Sequence, residues 1–83
     1  MSFDANLLRM MKSRKAFNRY RRTLDPSVVS EITIAVLDDF GRYFDTFKEH
    51  STIDFALFGP RQRVWNQDRD DQQWASMQVA VRQ

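Results

Sequence analysis

The sequence predicts an all-α fold, a compact bundle of four to five helices with one long helix near residues 27–47. Three observations point there. Apolar residues recur at helical spacing from Val29 to Phe47, no segment alternates with period two long enough to argue for a strand, and 83 residues contain only two Gly and two Pro. A chain of this length holds one core, so residues 1–83 read as a single helical domain.

The elements follow in order. Phe3-Asp4 opens the first, with Asp4 placed to cap the following turn and Phe3 to pack back onto Leu7 or Leu8 as a staple. Leu7, Leu8 and Met11 share one face. Ser13 either caps a second piece or lies within a continuous helix, and Ala16, Phe17, Tyr20 and Leu24 then recur at spacings of three and four. Asp25-Pro26 punctuates, because proline disfavours helical geometry before it and fits the first turn after it. In the long helix Val29, Ile32, Val36, Leu37, Phe40, Tyr43, Phe44 and Phe47 form the stripe. Gly41 within it hints at a close approach by another element. Asp54 caps a short helix with Phe55, Leu57 and Phe58, and Gly59-Pro60 predicts a turn before the chain resumes through Trp65. The last helix begins near Asp68 and Asp70 and places Trp74, Met77 and Val81 on one stripe.

Composition excludes much chemistry. With no Cys there is no disulfide scaffold, thiolate zinc site, iron–sulfur cluster or cysteine nucleophile, and one His allows no two-histidine metal site. GxxxxGK[ST], GxGxxG and HExxH are absent, so no cofactor, metal or catalytic residue is predicted and the chain reads as a non-enzyme. Asp68, Asp70 and Asp71 lack the turn glycine and distal glutamate of a calcium loop, and helix capping explains them. Asp38 with Asp39, Asp45 with Glu49, and His50 are expected on a solvated face or at a helix end. No apolar run is long enough to span a membrane, and MSFDANLLRM lacks the pattern of a signal peptide, so a cytoplasmic location is expected.

Charge is uneven. Residues 1–24 hold seven bases against one acid, and residues 25–83 hold six bases against ten acids, for a net charge of +2 over the chain. The basic cluster suits a partner surface, or nucleic-acid contact through Arg14, Lys15, Arg19, Arg21 and Arg22. The interface candidates are the large rings Phe17, Tyr20, Tyr43, Phe44, Phe58, Trp65 and Trp74, for which core packing is the competing role.

The leading LLRMMKSRKAFNRY, the turn, ITIAVLDDFGRYFDTF, TIDFALF and an acidic-start final helix together resemble the amino-terminal region of phage-encoded DnaB-type replicative DNA helicases. The block Arg14 to Tyr20, the pair Tyr43-Phe44 and the start Ile53-Asp54-Phe55 carry the resemblance, and Gly59-Pro60 departs from it. The resemblance implies a non-catalytic collar that oligomerises and docks primase, a helicase loader or the helicase motor domain, whose ATP site lies outside these residues. Two alternatives stand beside it: a small basic-patch nucleic-acid-binding protein, and a stand-alone phage or mobile-element protein that binds or mimics a replicative helicase.

Overall fold

A computed structural model describes residues 3–83. Five α-helices and two 3₁₀ turns make up its regular structure: α1 (Phe3–Met10), α2 (Arg14–Tyr20), the turns Arg21–Thr23 and Pro26–Val28, α3 (Glu31–Thr46), α4 (Phe55–Trp65) and α5 (Asp71–Val81). Among the described residues there is no strand. A lone antiparallel bridge joins Ser13 to Thr52, with Arg14 N–H donating to Ser51 O at 2.8 Å and Ile53 N–H to Lys12 O at 3.0 Å.

Most helix starts carry a side-chain cap, as their Ser and Asp residues predict. Ser13 caps α2, Ser30 caps α3 and Asp54 caps α4. At α5 the Asp70 carboxylate accepts from Gln73 N–H at 2.7 Å while the Gln73 side chain accepts from Asp70 N–H at 3.2 Å, a reciprocal capping box. These bonds satisfy amides that have no partner inside their own helix.

α3 is the central element and packs against α5, α1 and α4. Its Val36, Leu37, Phe40, Tyr43 and Phe44 join Leu7, Leu8 and Met11 of the α1 region, Ile53, Phe58 of α4, and Met77 and Ala80 of α5 in one core. Phe40 and Phe58 meet edge to face at 5.3 Å, the favoured geometry for two rings. The radius of gyration is 12.1 Å, close to the value of about 12 Å expected for a compact chain of this length.

Four expectations need correction. The long helix starts at Glu31, not near residue 27, because Asp25 caps only a 3₁₀ turn through Ser27 N–H at 2.9 Å and Ser30 supplies the true cap. Gly59-Pro60 does not turn: α4 runs through it. Without a Cβ, Gly59 avoids the clash that normally bars helical geometry before proline, and Ala56, whose carbonyl loses its partner, is on the exposed side. Asp4 caps nothing in α1; its carboxylate instead accepts from Ser30 N–H at 3.0 Å and Thr33 Oγ1 at 2.9 Å, tying α1 to the start of α3. Phe3 is no buried staple, being 56% exposed. The close approach that Gly41 suggests is present: a Cβ there would meet the tip of the Phe17 ring at 3.2 Å.

Candidate docking surface

α1 divides its apolar residues between two sides. Leu7 and Leu8, with Met11 just beyond the helix, go into the core, whereas Phe3 and Met10 are 56% and 41% exposed. Facing them across a groove are Tyr20, at the end of α2, and Val28, in the second 3₁₀ turn, 40% and 57% exposed. Leu7 and Leu24 form the floor of this groove, whose volume is about 400 Å³. The two 3₁₀ turns produce it: they carry the chain from α2 to α3 in short steps that leave Val28 outside the core. Four exposed apolar side chains are thereby gathered at one groove.

Several bases of the first two helices and the turn after them are exposed. Arg9 follows Leu8 on α1, and Arg19 and Arg22 flank Tyr20; all three are exposed, and the Arg19 guanidinium lies 5.3 Å from the Tyr20 ring centre. Asp25 is the acid in the lining, and the Ser27 amide and hydroxyl hold its carboxyl below the usual range. The ion pairs among the described residues are elsewhere, Arg21 with Asp38 at 3.0 Å and Arg42 with Asp39 at 3.7 Å.

The predicted interface rings separate on burial. Tyr43, Phe44 and Phe58 are core residues and are not available to a partner, since they lie on the α3 and α4 faces that hold the bundle together. Phe17 is half-buried, its ring 5.5 Å from that of Phe44. Trp65 and Trp74 are half-buried beneath guanidinium groups, Arg42 at 6.0 Å and Arg63 at 4.7 Å. Of the seven, Tyr20 alone belongs to the groove. Sequence reasoning missed Met10 and Val28 and misread Phe3, because spacing of three, four and seven residues looks the same whether a side chain faces the core or a groove.

The predicted nucleic-acid residues also separate. Arg14 is committed to structure: Nε donates to His50 O at 2.5 Å, and Nη2 to Phe44 O at 2.9 Å and Phe47 O at 2.5 Å. It therefore caps the carbonyl end of α3 and lies 4.9 Å from the centre of the Phe44 ring. Arg21 is engaged with Asp38. Lys15, Arg19 and Arg22 remain exposed.

A second region has the chemistry of a site but the connectivity of a scaffold. Asp39, expected on a solvated face, is 2% exposed. Its Oδ2 accepts from Gln62 Nε2 at 3.2 Å and Asn66 Nδ2 at 2.9 Å, and Gln62 Oε1 in turn accepts from Gln78 Nε2 at 3.0 Å. Burial pushes the Asp39 carboxyl upward, against the opposing effects of Asn66, Gln62, Arg42 and Arg69. A polar hollow of about 400 Å³ beside it is lined by Asp38, Arg42, Trp65, Arg69 and Gln73 among others. Every buried side-chain polar atom among the described residues has a partner, so this network joins α3, α4 and α5 and leaves no buried group free for a ligand.

His50 is likewise in structural use. Its Nδ1 shares a hydrogen bond with the Tyr43 hydroxyl at 2.5 Å, and that hydroxyl also accepts from Asp54 N–H at 3.1 Å, which fixes the start of α4 against the end of α3. Among the described residues no group of three or more acidic or histidine side chains is arranged to hold a metal ion, and no helix is long and apolar enough to cross a membrane.

In comparisons with known proteins, no protein-family model matches this chain, and neither a curated protein nor a solved structure matches it significantly.

Proposed function

We propose that this chain is a non-enzymatic docking module that joins other proteins through the groove between α1 and the 3₁₀ turns. The observation that carries the reading is that four of the exposed large apolar side chains, Phe3, Met10, Tyr20 and Val28, line one groove, whereas Phe55, Val64 and Val79 are exposed elsewhere. A small domain gains by covering such surface with a partner. The narrower assignment, a collar of a phage replicative helicase that assembles with itself or with primase, loader or motor domain, rests on the sequence resemblance alone.

The direct test is sedimentation velocity of the chain at micromolar concentration, alone and with each of those cognate replication proteins. Association that disappears when Met10 and Val28 are both changed to Asp supports the reading. A strict monomer that binds none of them overturns the replication assignment.

Exposed Lys15, Arg19 and Arg22 favour nucleic-acid contact as the second reading. With Arg14 and Arg21 engaged inside the molecule, three phosphate contacts remain from the original five. Binding to single- or double-stranded DNA would then show a log–log salt slope no steeper than about −3. No binding at low salt removes this reading.

A further inference from the structure

We propose a second site on this molecule, a pocket between α4 and the end of α5 that takes a small amphipathic acid, a carboxylate carried on an apolar body. It uses none of the residues of the docking groove, so it stands apart from the role proposed above. Three observations argue for it.

The first is the apolar part of the lining. α4 contributes Phe55, Phe58 and Gly59, the end of α5 contributes Val81, and the pocket has a volume of about 450 Å³. That falls within the roughly 300–1,000 Å³ of small-ligand sites. Phe55 is 43% exposed, and its ring meets that of Phe58 edge to face at 5.9 Å, so the two form an apolar corner. Gly59 keeps the wall open beside them, since a Cβ there would have nothing from the rest of the fold within 4 Å.

The second is the sign of the charge. The charged residues of the lining are Lys12, from the link between α1 and α2, and Arg82, just past α5, and no acid joins them. Neither takes part in the ion pairs among the described residues. The Lys12 ammonium stands 5.4 Å from the centre of the Phe55 ring and donates to Gln83 O, which uses one of its three protons. Elsewhere the pattern differs: the hollow beside Asp39 carries both signs, and the groove of α1 has Asp25 alone.

The third is the state of the polar groups. Burial first, and then Arg9, hold the Lys12 ammonium below the usual lysine range. A carboxylate beside it would counter both effects, because an opposite charge favours the charged form. The amides of the wall are already engaged: Gln62 and Gln78 bond to each other at 3.0 Å, and Gln62 also donates to Asp39. The pocket therefore offers cations and apolar surface, and an acid group on an apolar body complements both.

Four probes test this against the full chain: naphthoate, octanoate and the neutral amide of each. Chemical shifts of the Phe55, Gly59 and Val81 backbone amides locate binding and give the affinities. The acids are expected to bind there at least about fivefold more tightly than their own amides, with the advantage shrinking as salt rises. The stronger of the two acids tells a flat body from a chain. In the Lys12→Gln, Arg82→Gln double variant each acid and its amide should bind equally, through the apolar corner alone, a readout that a loss of folding cannot mimic. If that variant loses the amides as well, the native chain decides by salt: an acid advantage unchanged at about 1 M overturns the proposal. Amides bound as tightly as acids by the native chain, or no shift of these residues with either acid, overturns it too and leaves the docking groove untouched.

Discussion

Two regions of this molecule invert the usual rule that polar groups face water and apolar ones face the core, and they do so in opposite ways. Around Asp39 a carboxylate and amides are buried, and each has a partner from another helix. Around Met10 and Val28 apolar side chains are exposed, and nothing among the described residues covers them. Burial of a polar group is tolerable only when it is hydrogen-bonded, so the first inversion is complete within the fold. The second has no such complement among the described residues, and the docking role proposed above would supply it from another molecule. A carboxylate in a hollow is the more familiar sign of function, yet here the connectivity assigns it to architecture, and the proposed docking role falls to the groove.

The largest effect should come from breaking the buried network from one side. Asn66→Ala removes the donor at 2.9 Å and leaves the buried Asp39 carboxylate with the Gln62 amide and the 3.7 Å ion pair to Arg42. The expected loss is about 3 kcal/mol at neutral pH, the typical penalty for stranding a buried charge, and urea unfolding measures it. A loss below about 0.5 kcal/mol would mean that water reaches Asp39 and that the contrast between the two regions is false.

Arg14→Ala should follow, at about 2 kcal/mol, because it uncaps three carbonyls at the end of α3 and removes a cation from a ring face. Arg14→Lys should recover only part of this loss, since one ammonium cannot reproduce the planar fork. The same measurement distinguishes Arg14 from its neighbours: Lys15→Ala and Arg22→Ala, both at exposed positions, should change stability by less than about 0.5 kcal/mol.

These residues also illustrate what sequence can and cannot reveal. The helices were legible because their apolar periods and their Ser and Asp caps are local signals, and Gly41 was legible because a small residue in a good helix asks for a neighbour. Asp39 was not legible. It lies beside Asp38 on α3, and only the arrival of Gln62 and Asn66 from α4 makes its position an interior one. Arg14 was misread for the same reason, since its acceptors are thirty and more residues away along the chain. Gly59-Pro60 misled differently: each residue breaks helices alone, but together glycine relieves the restriction that proline imposes on its predecessor. Gly59→Ala meets no other atom within 4 Å, so any destabilisation it causes comes from that restriction alone.

Acidity offers a subtler comparison between the regions. Burial raises the Asp39 carboxyl above 3.8 in the folded state, so the folded protein binds a proton more readily there than the unfolded chain. Its contribution is therefore fullest below 3.8 and is lost as pH rises through the raised value. Asp4 has the opposite sign. The Ser30 amide first, then Thr33, lower its carboxyl below 3.8, so the clasp between α1 and α3 contributes above that value and is lost as pH falls through the lowered one. Asp39→Asn should flatten the decline of stability with rising pH, and Asp4→Asn the decline on acidification. Matching slopes in both variants would show that the two carboxylates do not differ as the geometry requires.

The smallest expected change in stability belongs to the groove. Met10→Asp with Val28→Asp replaces two exposed apolar side chains outside the core, so the expected change is within about 0.5 kcal/mol. That near-silence is what gives the variant its value, because a loss of partner binding then cannot be ascribed to unfolding. If the double variant instead loses more than about 2 kcal/mol, in the range of a core truncation, these side chains are covered in solution and belong to the core. The exposed and buried inversions would then be of one kind, and the groove would have no claim on a partner.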